Sequence, residues 1–328
     1  MEQKAMIIGD ATVRKYLSIE EGIQCVEDTW RWYGEGKVVM PNKITTDMSE
    51  LGVPGWFNSM PAYIGPMDTA GIKVVGGYEN NRALGLPFIK ANVLVTDSRT
   101  GVLKALLNGD YINDLRTGCQ PAVMAKVLAA KTDVVTIIGT GLMAYYSLLC
   151  MSKVLTMKEI RLSDISEAAM DRFIARFPDA PFTFVKCRSN EEACTGSDIV
   201  ITITNADANL VEEPWLKKGS LVMTMGSFRE TSFDVVRKAD KIAVDQVGQS
   251  LHRGNLKELA EMGEITADSF DIIVPEVLAG KMPGRTNPDD RIYAQIIGTG
   301  MLDVAFAGLV LRKIEESGAD VFRYDMTK

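Results

Sequence analysis

The short β-branched run Val134-Val135-Thr136-Ile137-Ile138 leads directly into Gly139-Thr140-Gly141-Leu142-Met143-Ala144, and this junction constrains the fold more than any other stretch. Such a run suits a strand buried on both faces of a parallel sheet. The residues that follow, Tyr145 to Met151, can continue as a helix. Strand, G-x-G-x-x-A, helix is the context of a dinucleotide-binding turn. The first glycine permits the tight turn, the second lets a pyrophosphate approach the backbone, and a small third residue lets helix and strand pack closely. The helix N-terminus then offers unpaired N–H groups and a partial positive charge to the phosphates.

The next predicted strand, Ile160-Arg161-Leu162-Ser163, ends at Asp164-Ile165. An acidic residue roughly twenty positions past the glycines meets the ribose hydroxyls in such folds. A carboxylate there accepts hydrogen bonds from the 2′- and 3′-OH and repels a 2′-phosphate, which favours NAD over NADP. The other reading makes Asp164 a cap for the helix that begins near Ser166.

At 328 residues the chain can bury two cores. Its net charge of −7 and lack of a Lys/Arg cluster speak against a nucleic-acid partner. No apolar run reaches the length of a membrane span, and the start, Met1-Glu2-Gln3-Lys4, does not read as a signal peptide. Five cysteines without a C-x-x-C pair fit reduced thiols in the cytoplasm. A single histidine, His252, is too few for a histidine-based metal centre, so no metal is expected.

Strands and helices alternate after the glycine loop. Phe182–Val185, Asp198–Thr204, Ser220–Gly226 and Lys241–Asp245 read as further strands, with a short helix through Glu191–Cys194. The fold class is therefore α/β: a Rossmann doubly wound parallel sheet, with a second α+β domain for substrate and dimerisation. Gly139, Asp164, Thr204, Asn205 and Gly226 all fall at the carboxyl ends of predicted strands, where ligands bind in such sheets. Upstream, Ser18 and Glu21 form a capping box for a helix carrying Ile19, Ile23, Val26, Trp30 and Tyr33 on one face. Gly71–Val75 and Ala91–Asp97 are the clearest strands of this first part, and a helix from about Asn113 to Ala130, bent near Pro121, leads into the nucleotide domain. The expected division is 1–127 for substrate and dimerisation, completed by 298–328 through a last helix near Met301–Glu316, and 128–297 for NAD. The apolar neighbourhood Trp30-Arg31-Trp32-Tyr33 suggests a homodimer built through the first domain.

Taken in order, Met60-Pro61-Ala62-Tyr63, Gly71-Ile72-Lys73, Asn81…Gly85-Leu86-Pro87, Thr100-Gly101, Arg116-Thr117, the Rossmann glycines, and Gly298 with Asp303 make the chain resemble the ornithine cyclodeaminase/μ-crystallin family over nearly its whole length. The resemblance implies that Lys73 and Arg116 contact a substrate carboxylate and that Thr117 reaches a cofactor phosphate. Chemistry agrees, since a guanidinium clamps a carboxylate through two parallel hydrogen bonds and an ammonium adds charge or a proton. The plainer readings are an edge-strand charge for Lys73 and a solvated first-turn residue for Arg116. The expected cofactor set is Asn81, Thr117, Gly139, Thr140, Gly141, Leu142, Met143, Asp164, Ile165, Thr204, Asn205, Met225, Gly226, Ser227 and Gly298. The substrate set is Lys43, Met60, Lys73, Arg116 and Phe228.

Departures from the family pattern matter as much. Lys43 stands near the place of a further carboxylate-binding arginine, Ile296 where a serine is frequent, and Phe228 where cyclodeaminases and alanine dehydrogenases carry an acid/base aspartate. The cofactor machinery is kept while the substrate chemistry is altered. Lys73, Glu230 and His252 are the candidate substitutes for the lost acid. Glu230 also reads as a carboxylate complementing a helix dipole, and a lone histidine is more often surface or core. The resemblance implies an NAD-dependent oxidoreductase interconverting a small α-imino acid, or a 2-oxo acid plus ammonia, and an α-amino acid. The alternatives are ammonia-releasing cyclisation of the ornithine cyclodeaminase type, and a non-catalytic crystallin-like binding protein.

Overall fold

A computed structural model describes residues 4–327. The first unit is built on an eight-stranded sheet. Its strands are β1 (Lys4–Ile8), β2 (Val38–Val39), β3 (Ile44–Asp47), β4 (Gly55–Ile64), β5 (Thr69–Tyr78), β6 (Ile89–Thr96), β7 (Leu103–Asn108) and a C-terminal strand (Arg323–Asp325). The order is C-terminal strand, β1, β7, β6, β5, β4, β2, with β3 also paired to β4. From β4 to β7 it is an antiparallel meander. Its residues alternate between faces as a two-residue period demands: Ala91, Val93 and Val95 of β6 are buried and Asn92 between them is exposed.

The buried face is covered by the C-terminal helix Gly300–Ser317, which packs on β4 and β5 and against α2 (Ile19–Gly34). Small residues set that approach. A Cβ at Gly300 would lie 2.8 Å from the Met60 carbonyl oxygen, and one at Gly308 2.8 Å from Thr69 Oγ1. Before α2 lies α1 (Asp10–Tyr16). The Ser18–Glu21 capping box opens α2, and Ile23, Val26 and Trp30 bury its apolar face. Trp30 is completely buried within its own unit, so it is unavailable to a subunit interface.

The helix α3 (Asp110–Leu128) starts three residues before Asn113 and runs through Pro121 without an assigned break. The two compact units meet along the chain inside it, the first comprising residues up to 116 and from 299 on, the second residues 117–298. Sequence reasoning placed that junction at 127/128. Residues after Arg116 are committed earlier because they pack within the second unit: a Cβ at Gly118 would come within 2.5 Å of Tyr146, and Gln120 donates to Asp245 at 3.2 Å.

The second unit holds β8 (Val134–Ile138), β9 (Glu159–Ser163), β10 (Thr183–Lys186), β11 (Ile199–Thr202), β12 (Leu221–Thr224), β13 (Lys241–Val244), β14 (Ile272–Ile273) and β15 (Ile292–Gln295). All pair in parallel, in the order β10, β9, β8, β11, β12, β15, β13, β14. The strand order reverses at β8, the switch point at which such sheets bind ligands. Helices α4 (Leu142–Met151) and α5 (Glu167–Ile174) follow β8 and β9. Sequence reasoning missed β14 and β15. The latter, fully buried, separates β12 from β13, strands read as successive in the sequence.

Candidate active site

In the second unit the turn after β8 is shaped for a nucleotide. Gly139 has φ +91°, and a Cβ there would lie 2.8 Å from both the Ile203 carbonyl oxygen and Thr204 Cγ2. Any side chain would be strained and would push apart the turns ending β8 and β11. Gly141 is the opposite case, because a Cβ built on it meets nothing within 4 Å. Gly141 is the N-cap of α4 and makes no side-chain cap, so open space adjoins the first amides of that helix. Ala144, the small third position, is completely buried. An open turn at a helix N-terminus is what a pyrophosphate needs, and these residues fit NAD.

Asp164 sits at the end of β9. One of its oxygens accepts from Thr140 N and Thr140 Oγ1 at 2.8 and 2.7 Å, and the other from Ser166 N at 2.9 Å. The cap of α5 is Ser166, whose Oγ accepts from Ala169 N. An ionised carboxylate has about four lone-pair sites, so these three bonds leave Asp164 able to accept from a sugar hydroxyl. Ile165 beside it is fully exposed, and Leu142 half exposed.

Glu230 is a fully buried hub. Its carboxylate accepts from Thr204 N and Oγ1, Thr202 Oγ1 and Gly226 N, at 2.6 to 3.0 Å. Burial pushes the carboxyl above its ordinary range, against the pull of those bonds. With its oxygens engaged on the turns after β11 and β12, Glu230 acts as a strut holding Thr204 and Gly226, and not as a helix-end charge. Asn205 and Ser227 are exposed at the same turns, Met225 is half-buried, and Phe228 is half exposed. His252 lies exposed in a turn after Ser250 and enters no helix. Gly298 has φ +72°, and its N–H donates to Asp245 at 3.3 Å.

In the first unit four side chains from three elements converge. Lys73 of β5 is 0 % exposed, as is Asp303 of the C-terminal helix, and Arg116 of α3 is 7 % exposed. Lys73 Nζ lies 2.7 Å from Asp303 Oδ2, and Arg116 Nε donates to Asp303 Oδ1 at 3.0 Å. Asn113, one turn before Arg116, offers its Oδ1 to Lys73 Nζ at 3.2 Å and to Arg116 Nη2 at 3.0 Å. Two buried cations thus share one carboxylate and one amide. Burial, then the nearby guanidinium, lowers the Lys73 pKa to about 7. Met60, opposite Lys73 on β4, is buried beside the group. These positions set aside the plainer readings, since Lys73 is no edge charge and Arg116 no solvated residue.

Three further expected residues are Lys43 of the substrate set and Asn81 and Thr117 of the cofactor set. Lys43 precedes β3 and is half-buried, Asn81 closes its own turn by donating to the Pro87 carbonyl at 2.7 Å, and Thr117 follows Arg116 on α3 at the start of the second unit. Sequence reasoning matched Asp303 to a family pattern but gave it no role, and passed over Asn113. Asp303 did carry a signal, as a lone charge in the apolar run Met301 to Leu311. Among the described residues no group of three or more His, Cys, Asp or Glu could hold a metal ion, and no helix is long and apolar enough to cross a membrane.

The model of the ornithine cyclodeaminase/mu-crystallin family matches residues 3–318. The chain belongs to that family. It is 28 % identical to an alanine dehydrogenase of Archaeoglobus fulgidus over 312 residues, 94 % of each chain. An archaeal alanine dehydrogenase dimer with bound NAD superposes with a TM-score of 0.91 at 27 % identity, covering 98 % of this chain and 99 % of that one. The Thermococcus litoralis Δ1-pyrroline-2-carboxylate reductase, in complex with NADH and L-proline, gives 0.89 at 26 % identity, covering 96 % and 100 %. These relatives are thus dehydrogenases and a reductase of amino and imino acids.

Proposed function

We propose that the chain is an NAD-dependent oxidoreductase interconverting a small α-imino acid, or a 2-oxo acid plus ammonia, and an α-amino acid by hydride transfer at Cα. The observation that carries this reading is the buried Lys73–Arg116 pair, a carboxylate clamp that a nucleotide store has no need of. Bound NADH would supply the hydride. The Gly139–Met143 turn and Thr117 hold its phosphates, and Asp164 holds its ribose and favours NAD over NADP. Arg116 fixes the substrate carboxylate through its planar fork, which orients Cα. Lys73, titrating near neutral pH, either adds charge to the carboxylate or gives its proton to the imine nitrogen. Glu230, buried and engaged, is left to position the cofactor turns, and exposed His252 is left without a catalytic part. Lys43, Met60 and Phe228 complete the proposed substrate set, with Phe228 an apolar wall. With no aspartate at that position, cyclodeamination loses its acid/base, and reduction becomes the stronger reading.

The decisive experiment follows NADH absorbance with cyclic imine carboxylates and with 2-oxo acids plus ammonia, for the wild type and Arg116→Lys. The expected result is turnover by the wild type and a roughly ten- to hundred-fold lower kcat/KM for Arg116→Lys, with NADH affinity kept. Ammonia release from L-ornithine without net NADH change would overturn it in favour of cyclisation.

The reading includes a cytoplasmic homodimer. All five cysteines are buried and none forms a disulfide, which suits a reducing compartment. On the outer face of the first sheet, Pro61, Ile72, Leu94, Leu106 and Ile7 stand opposite one another across five strands. This apolar stripe, with Ile7 and Leu106 exposed, is a self-complementary surface for a second copy.

A further inference from the structure

We propose that Asp303 is a positioning residue that keeps Lys73 in its charged form and holds Arg116 in orientation, so that the cluster carries one net positive charge for one substrate carboxylate. The inference deepens the oxidoreductase reading and rests on it for the identity of the bound carboxylate. Its physical basis is first the geometry. Asp303 Oδ2 is in contact with Lys73 Nζ, and Oδ1 receives Arg116 Nε, so the one carboxylate sets the spacing of both cations. Among the groups in direct contact, Lys73 when protonated, Arg116 and Asp303 sum to +1, which a monoanionic carboxylate brings to zero; Asp114, outside that contact, acts on Lys73 less strongly than Asp303. A buried cluster of zero net charge is far cheaper than one left charged.

The charged groups acting most strongly on Lys73, among the described residues, lie on two helices. Arg116 and Asp114 lie on α3 and Asp303 on the C-terminal helix. Its partners on the adjoining strands, Met60 of β4 and Val93 of β6, are uncharged. Burial and Arg116 drive the proton off Lys73, and Asp303 is the largest influence retaining it. Taking that carboxylate away leaves an ammonium facing a guanidinium, and the ammonium then loses its proton at lower pH.

The test compares the wild type with Asp303→Asn and Asn113→Asp in two assays across pH 5.5–9. The first is kcat/KM for reduction of a cyclic imine carboxylate. The second is calorimetric binding of picolinate, a flat carboxylate that NADH does not reduce, to the NAD-loaded protein. In Asp303→Asn the pH at which both quantities fall on the alkaline side should move down by about one unit or more. For a one-unit move that is a loss of about five-fold at pH 7, approaching about ten-fold at higher pH and recovered toward pH 5.5. The substrate's own ionisation is common to all variants and cancels.

Asn113→Asp keeps an oxygen for each cation and adds a negative charge, so the fall should move to higher pH. It also neutralises the cluster, so picolinate should bind about ten-fold more weakly at neutral pH. This second variant keeps the test open if Asp303→Asn does not fold. An unmoved alkaline fall in folded Asp303→Asn, or a downward move in Asn113→Asp, overturns the proposal. If binding profiles move as stated while no imine is reduced, the redox reading fails and the role of Asp303 stands.

Discussion

Asp114 follows Asn113 on α3, and the fold holds it partly out of water. Burial, ahead of the charge of Asp110, raises its carboxyl to about 6 from 3.8, although Asn113 hydrogen-bonds it. The folded protein therefore binds the proton more tightly than the unfolded chain between those values. Stability attributable to this group is present below about pH 4 and is lost as pH rises through 6. Asp114→Asn should raise the melting temperature at pH 7.5 by a few degrees, for about 1–2 kcal/mol after discounting for solvent access, and do little at pH 4. Equal shifts in melting curves at the two pH values would show that ionisation is not the cause. At this scale legibility was uneven. Lys73 and Arg116 could be singled out because each stands in an ordered local motif. Asp303 meets Arg116 across 187 positions, and no local pattern carries that pairing. Glu230 was ambiguous because a buried strut and a helix-end carboxylate are the same letter.

Among the elements, the turn after β8 was the most legible, since its chemistry lies within six consecutive residues. Gly139→Ala tests it: the positive φ costs about 1–2 kcal/mol for a non-glycine residue, and the Cβ meets the Ile203 carbonyl. NADH affinity should drop about ten-fold or more by calorimetry while circular dichroism keeps its form; unchanged affinity would refute the assignment of this turn to the phosphates. The capping box of α2 was equally plain, being a three-residue relation. β15 was not, because its four residues follow the turn-rich stretch to Asp290 and nothing local says that they insert between β12 and β13. Strand order is a long-range property that periodicity does not encode. The start of α3 was missed for a similar reason. Asp110 begins it and accepts from Ala91 N at 2.9 Å, so a tertiary contact fixes that end.

For the whole molecule, an α/β nucleotide unit and a second α+β unit could be read from the switch between alternating and non-alternating elements. Of the Trp30-Arg31-Trp32-Tyr33 neighbourhood read for assembly, Trp30 is core while Trp32 and Tyr33 are half-buried, and the sequence alone does not mark the stripe proposed above. The stripe across the first sheet predicts that light scattering at micromolar concentration gives twice 36.0 kDa. Leu94→Glu, which places a charge in the middle of the stripe, should halve that mass without unfolding the protein. A wild-type mass of 36.0 kDa would rule out the dimer. The course of the chain through the first unit bears also on its birth. β4 to β7 leave the ribosome early, but the helix that covers them ends at Ser317. At about 5–20 residues per second, roughly 10–40 s separate Asn108 from that residue. Throughout that interval Met60, Val75, Ala91 and Val93 await their cover, and Lys73 waits for its partner carboxylate, so a helix translated later seals a sheet translated earlier.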